Sequence, residues 1–262
     1  MRLTTWNVNS IKARLPRVLD YLKEAKPDAI VLQEIKCVDE NFPRDEIEAL
    51  GYTVETHGQK TYNGVALLSL HPISELRTGL PGDDSDEQAR YIEAVIVPKD
   101  SAPIRLGGLY LPNGNPVSPD SEKYPYKLAW MDRLISHTKT LIADETDFIL
   151  AGDYNVIPTD DDVHDPKAWE GDALFRPETH QKYRTLCNLG LTDAFRSCHT
   201  EPHRYSFWDY QAGAWQKDHG IRIDHLLLSP GATDRLTGAG IDKYVRGLEK
   251  PSDHVPAWAD LI

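Results

Sequence analysis

Phe148-Ile149-Leu150-Ala151-Gly152-Asp153-Tyr154-Asn155 reads as a buried strand that ends in chemistry. The apolar run Phe148-Ile149-Leu150 fits a strand at the centre of a sheet. Gly152 lets the backbone turn or be approached closely. Asp153 and Asn155 follow at period two, which puts both side chains on one face of the strand end. A carboxylate beside an amide can orient a water, one accepting its proton and the other donating a hydrogen bond. The plain alternative is an Asx turn, because Asp and Asn both favour turns. Company favours the chemical reading: Asn7, Glu34, Asp224 and the pair Asp253-His254 each stand at the end of an apolar run of their own.

Outward from that stretch, Ile221 to Ser229 reads as a strand with Asp224 set among apolar residues. Ala29-Ile30-Val31-Leu32 is a compact buried strand followed at once by Gln33-Glu34. Lys36 lies on the same face as Glu34 if the chain stays extended. Leu3 to Asn9 alternates like a half-buried strand. Ser10 can cap a helix marked by Ile11, Leu15, Val18, Leu19 and Leu22, which Pro27 ends. Further strands are expected over 52–57, 64–69, 91–97, 104–109 and 257–262. The short polar or Gly/Pro turns between the middle ones indicate antiparallel meander rather than βαβ alternation. Helices are expected over 43–50, 122–143 and 178–190, the long one with Leu128, Met131, Leu134, Ile135, Thr138 and Leu141 inward. Residues 157–177 read as a polar loop in which Asp160-Asp161-Asp162 form solvated surface. No short repeat, low-complexity segment or linker interrupts the chain, so one domain spanning 1–262 is expected.

With 40% apolar and 27% charged residues, the 262-residue chain has ordinary globular composition and can bury a sizeable core. Its net charge of −12 argues against indiscriminate polyanion binding. It leaves room for nucleic acid, because metal-binding carboxylates lower the total while basic residues can still line one face. Cys37, Cys187 and Cys198 have neither CxxC nor zinc spacing and suit a reducing compartment. No signal peptide, membrane span or lipidation motif is visible, and the expectation is a cytoplasmic protein with no membrane association.

Eight motifs in order resemble those of the exonuclease III family of apurinic/apyrimidinic endonucleases, within the endonuclease/exonuclease/phosphatase superfamily. They are Trp6-Asn7-Val8-Asn9, Leu32-Gln33-Glu34-Ile35-Lys36, Gly58-Gln59-Lys60, Gly64-Val65-Ala66, Tyr110-Leu111-Pro112-Asn113, Gly152-Asp153-Tyr154-Asn155, Gly220-Ile221-Arg222-Ile223-Asp224 and Pro251-Ser252-Asp253-His254. The resemblance implies an α/β fold: a four-layer α/β sandwich of two packed, mostly antiparallel sheets flanked by helices.

By the same resemblance, Glu34 matches the main ligand of a catalytic Mg²⁺, for which Mn²⁺ can substitute, with Asn7 beside it and Asp253 close to the metal. Asp153 matches the residue that activates water and Asn155 the amide that orients it. Tyr110 and His254 match groups that hold the phosphate, Asp253 the acid that orients the histidine, and Asp224 an active-site carboxylate. Phe207, Trp208, Ile221 and Ile223 fall where the family packs a flipped abasic residue, and Lys60, Arg90 and Asn113 where it meets DNA. Asn9 departs from relatives that carry Asp there, which favours one tight metal over two. The implied activity is Mg²⁺-dependent incision 5′ to abasic sites and trimming of 3′ ends in double-stranded DNA, by a monomer. Alternatives are the same chemistry on RNA or a phospholipid headgroup, or a DNA-binding relative without activity. From the residues alone, Asp224 could equally be a buried acid paired with Arg222 or Arg90, and Phe207 and Trp208 plain core.

Overall fold

Alternate residues of Ala29-Ile30-Val31-Leu32 enter two different cores. Ala29 and Val31 pack toward a second sheet, while Ile30 and Leu32 pack toward a helix. The same split recurs in Phe148-Ile149-Leu150-Ala151, with Ile149 and Ala151 between the sheets and Phe148 and Leu150 on the helix side. A strand apolar at every position therefore belongs between two covered faces.

The computed structural model describes residues 1–262. In chain order the strands begin with β1 (Arg2–Asn7), β2 (Ala29–Gln33), β3 (Thr53–His57), β4 (Val65–Ser69), β5 (Ile73–Thr78) and β6 (Tyr91–Ile96). They continue with β7 (Ile104–Tyr110), β8 (Phe148–Asp153), β9 (Thr192–Asp193), β10 (Asp224–Leu228), β11 (Leu236–Ile241) and β12 (Ala257–Leu261). Two six-stranded sheets result, ordered β11-β12-β1-β2-β4-β3 and β5-β6-β7-β8-β10-β9. Only β1–β2 and β7–β8 run parallel; every other neighbouring pair is antiparallel. Helix α1 (Ile11–Glu24) covers the first sheet, with α2 (Arg44–Glu48) beside it. Helices α3 (Lys123–Ala143) and α4 (Pro177–Asn188) cover the second, and the short α5 (Ala194–Cys198) and α6 (Pro230–Asp234) complete the helices. The order helix–sheet–sheet–helix is the expected four-layer sandwich. No helix is long and apolar enough to cross a membrane.

Gly108 in β7 sets how closely the two sheets approach, while Gly107 makes room beside the neighbouring strand. A Cβ on Gly108 would lie 2.7 Å from Val31 Cγ1 in the facing sheet, and one on Gly107 would lie 2.8 Å from Leu150 Cδ2. Ser10 caps α1 as expected, accepting from the Ala13 amide at 3.4 Å.

Three strands lie outside the expected set: the two-residue edge strand β9, and the longer pair β5 and β11. Both are sheet edges with a register shift, between Ser74 and Arg77 and between Leu236 and Gly238. An edge needs fewer apolar residues, so neither segment carries a periodic signal. A second difference concerns Asp160-Asp161-Asp162. The first two are exposed, but Asp162 is fully buried. Arg222 Nε reaches Asp162 Oδ1 at 2.8 Å, Arg196 Nε reaches it at 3.1 Å, and Arg222 Nη1 also meets Asp193 Oδ2 at 2.8 Å. The ion pair ties the loop after β8 to the strand that carries Asp224.

Burial alone would raise the Asp162 carboxyl, but Arg222 and Arg196 outweigh it and bring it down to about 2. Breaking a buried pair leaves an uncompensated charge, so Asp162→Ala is expected to lower unfolding free energy by about 3 kcal/mol. The depressed group contributes stability above its unfolded value near 3.8 and loses it as pH falls toward about 2. Urea titrations across that window should show the gap between the two proteins closing on acidification; a pH-independent gap would refute the ionic origin.

Candidate active site

The strand ends that carry acids and amides converge where the two sheets meet. Asn7 ends β1 and Glu34 follows β2 in the first sheet, while Asp153 ends β8 and Asp224 opens β10 in the second. β8 and β10 pair with Asp224 opposite Asp153. His254 arrives from the segment before β12 and is bridged to Phe207, which is bridged in turn to Ile221.

One amide group joins the two sheets' acids. Asn7 Nδ2 donates to Glu34 Oε1 at 2.8 Å and to Asp153 Oδ2 at 2.9 Å. On the far side of Asp153, His254 Nε2 stands 3.8 Å from Oδ2, and His254 Nδ1 lies 2.9 Å from Asp224 Oδ2. The second oxygen of Asp224, Oδ1, is buried without a partner. Asp153 Oδ1 accepts from the Asn155 backbone amide at 2.9 Å, so the Asx turn is present as well. Asn155 then adopts φ 47° and turns its side chain to Leu111 O and to Asn113 Nδ2, at 2.9 and 3.1 Å. Asp153 and Asn155 share the site through this turn rather than through an extended strand.

Glu34 and Lys36 also depart from the extended form, at φ 52° and 53°. Their side chains still meet, Lys36 Nζ lying 2.8 Å from Glu34 Oε2. Lys36 donates on to Asn9 Oδ1 at 2.6 Å, and Asn9 Nδ2 donates to Asp253 Oδ1 at 3.1 Å. Non-glycine residues held in the left-handed region at several strand ends carry a local conformational cost, which the surrounding structure must over-determine.

Charge follows from this geometry. Burial raises Glu34, but Asn7 and Lys36 outweigh it, so its carboxyl lies below the usual range. Burial raises Asp153, opposed by His254 and reinforced by Asp224, with a net shift upward. Burial opposes the charge on His254, yet Asp224 and Asp153 hold its proton firmly and carry it well up. Tyr110 is raised by burial, and the charges of Glu34 and Asp153 add to the shift. At neutral pH the site therefore holds an ionised Glu34, an imidazolium at position 254, and an Asp153 poised to take a proton.

Two places could hold a metal. Asp153, Asp224 and His254 offer atoms all within 4.8 Å of one another. There the imidazole Nδ1 is already committed to Asp224. Glu34 fits a hard divalent ion better: it is ionised, its side chain is 18% exposed to the cavity, and it already attracts the Lys36 ammonium.

Glu34, Asp153, Asn155 and His254 line a cavity of about 270 Å³ with Tyr110, Asn113, Asn115, Asp172 and an apolar side of Trp169, Leu174, Phe207, Ile221 and Ile223, while Asn7 and Asp224 lie behind its wall. A larger open hollow of about 880 Å³ beside α3 carries Asp83, Asp84, Asp86, Glu87 and Asp132 against Arg77 and Arg133, an excess of negative charge that disfavours a phosphodiester. Two expectations need correction. Trp208 is fully buried against Tyr205 and Trp215 and gives its indole N–H to Asp218 at 2.9 Å, so it belongs to the core under the first sheet. The histidine is oriented by Asp224, because Asp253 turns instead to Asn9 and Ser252. Arg222 pairs with Asp162 and Asp193, not with Asp224. Arg90 lies over the Tyr110 ring at 4.7 Å, while Lys60 is exposed on the β3–β4 loop and does not line the cavity. Asn115 and Asp172 escaped sequence reading. They clasp two loops over the cavity through Asn115 Nδ2 to both Asp172 oxygens at 3.1 Å, and only the flanking turn residues Gly114 and Gly171 hinted at them.

A sandwich of two mixed sheets gathers acids at the seam between strand ends, a setting suited to hydrolysis of a phosphoester. The family model described as the endonuclease/exonuclease/phosphatase family matches residues 4–254, and the chain belongs to that family. It is 34% identical to exodeoxyribonuclease III of Haemophilus influenzae over the full length of both chains. An AP endonuclease from Archaeoglobus fulgidus superposes with TM-score 0.92 and 35% identity, covering 100% of this chain and 99% of that one. The 3′ phosphatase NExo from Neisseria, bound to product DNA hairpin, superposes with TM-score 0.94 and 36% identity over 100% and 99% of the two chains.

Asp224→Ala is expected to slow phosphodiester turnover by ~10²-fold or more, because His254 loses the group that fixes its ring. Asp253→Ala should cost much less. Steady-state rates of the two proteins decide the matter, and an equal loss would return the orienting role to Asp253.

Proposed function

We propose that the chain is a divalent-metal-dependent DNA repair nuclease that hydrolyses phosphodiesters 5′ to abasic sites and trims 3′ ends of duplex DNA. The observation that carries the reading is Asp153, a buried carboxylate held between the Asn7 amide and the His254 ring at the wall of a cavity that also holds Glu34. Names of similar proteins support the substrate: an exodeoxyribonuclease III, an AP endonuclease and a 3′ phosphatase bound to DNA.

Glu34, with Asn7 beside it, would hold Mg²⁺, or Mn²⁺ in its place. When bound, that cation offsets charge on the non-bridging phosphate oxygens. Asp153 takes the proton of the attacking water. Asn155, anchored by Leu111 and Asn113, helps fix that water. His254 keeps its proton through Asp224 and donates to a phosphate oxygen as charge develops there. Tyr110 supplies a hydroxyl at the same end of β7. We read residues 1–262 as one domain acting as a monomer. We place it in the cytoplasm, where free thiols such as Cys37, Cys187 and Cys198 persist.

An abasic nucleotide needs no base to be unstacked, so a small apolar cavity can favour it. Ile221 and Ile223, both buried, with Phe207 edge-on to His254 at 4.9 Å between ring centres, form such a wall.

Rates on matched abasic and intact duplexes, with and without EDTA, test the reading. Wild-type protein is expected to cleave only with metal and to prefer the abasic duplex; EDTA-resistant cleavage or none would sink it. Asp153→Asn should lose at least ~10²-fold in turnover with DNA binding retained, since an amide cannot accept the proton. Phe207→Ala combined with Ile223→Ala should lower the abasic-to-intact ratio while hydrolysis survives, and an unchanged ratio would make these side chains core only.

A further inference from the structure

Lys127 is fully buried on α3 and meets no carboxylate. Its ammonium donates to three backbone carbonyls: Pro112 O at 3.1 Å, Asn113 O at 3.2 Å and Asn155 O at 2.6 Å. Three donors thus find three acceptors. Taking an unpaired ammonium out of water still costs several kcal/mol. Burial pushes the group down to about 7, with Asp153 and Asp172 opposing the shift. Packing alone does not call for a charge there. The stem runs under Gly114, where a Cβ would lie 2.7 Å from Lys127 Cδ, and a methionine could occupy the same channel.

The three carbonyls belong to the two segments that present Asn113 and Asn155 to the cavity. Asn155 is held at φ 47°, and Asn113 donates to its side chain. A neutral side chain at 127 would leave three buried carbonyls short of a donor and free both segments to relax.

We propose that Lys127 is a positioning residue for the hydrolytic reaction, acting through Asn155 and Asn113, whose loops its buried ammonium locks together beneath the cavity. The inference rests on the proposed nuclease reading.

The test compares wild type with Lys127→Met, Lys127→Arg, Asn155→Ala and the Lys127→Met/Asn155→Ala double variant. Displacing a group at the reacting centre by about 1 Å can cost ~10²-fold, and a kcat loss of that scale is expected for Lys127→Met with KM within about threefold. Its thermal midpoint should stay near that of wild type, because relief of a desolvated charge offsets the carbonyls left short of a donor. The double variant should be no slower than the slower single variant, and Lys127→Arg, which keeps the charge, should stay within about fivefold of wild type. Wild-type kcat in folded Lys127→Met, losses that multiply in the double variant, or an Arg protein as slow as the Met one would each overturn the proposal. Should the methionine protein fail to fold, Lys127→Gln takes its place: slowed turnover in folded protein supports the role, and wild-type turnover refutes it. Hydrogen exchange reads the lock without substrate. Faster exchange at the Asn155 and Ile157 amides, with α3 unchanged, is expected in the variant, and unchanged protection would refute it. A wild-type protein inert on DNA would count against the nuclease reading, while the exchange data would still judge the lock.

Discussion

Everything at this site depends on one amide group reaching both ways across the gap between two sheets. Asn7 Nδ2 holds Glu34 of its own sheet and Asp153 of the opposite one, each within 3 Å. Two carboxylates brought so close would repel; a shared donor and nearby cations make the approach tolerable. Asn7 is itself fixed, its Oδ1 accepting from the Asn9 amide and its carbonyl from Ser252 Oγ. The hydrolytic centre is therefore a property of how the sheets stack, not of either sheet alone.

Charges of both signs line the seam. Lys36, Glu34, Asp153, His254 and Asp224 form a chain of opposite and like neighbours. Burial acts the same way on Glu34 and Asp153, yet the two shift in opposite directions. Both share the Asn7 amide and lie near a cation, but Asp153 is the more deeply buried and has a second acid, Asp224, in its surroundings. The roles proposed for them, an anchor for a cation and an acceptor for a proton, thus fall to chemically similar residues that their surroundings set apart.

Central strands were legible because a run such as Ala29 to Leu32 has no other place to go, and the acids at their ends were legible as exceptions to that rule. Three kinds of feature were not. Edge strands β5 and β11 are built from residues that a loop would also use. Asp162 looked like surface because its partners, Arg196 and Arg222, lie 34 and 60 positions away, and nothing local announces a buried pair. Lys127 was hidden by residue type: the helical stripe favoured its neighbour Leu128, yet the lysine is the one fully buried, because loops from elsewhere supply its acceptors. Trp208 erred the other way, an aromatic beside Phe207 that alternation sends into the core.

The glycine at position 108 acquires a mechanical meaning in this light. Val31 lies where a side chain on β7 would have to go, so the separation of the sheets is set there by the absence of a methyl group. The Asn7 amide spans that same separation further along the strands. A wedge at the glycine would prise the acids apart while each sheet, its ladder intact, stayed folded. The spacing fixed at Gly108 is thus a boundary condition that the Asn7 bridge at the strand ends inherits.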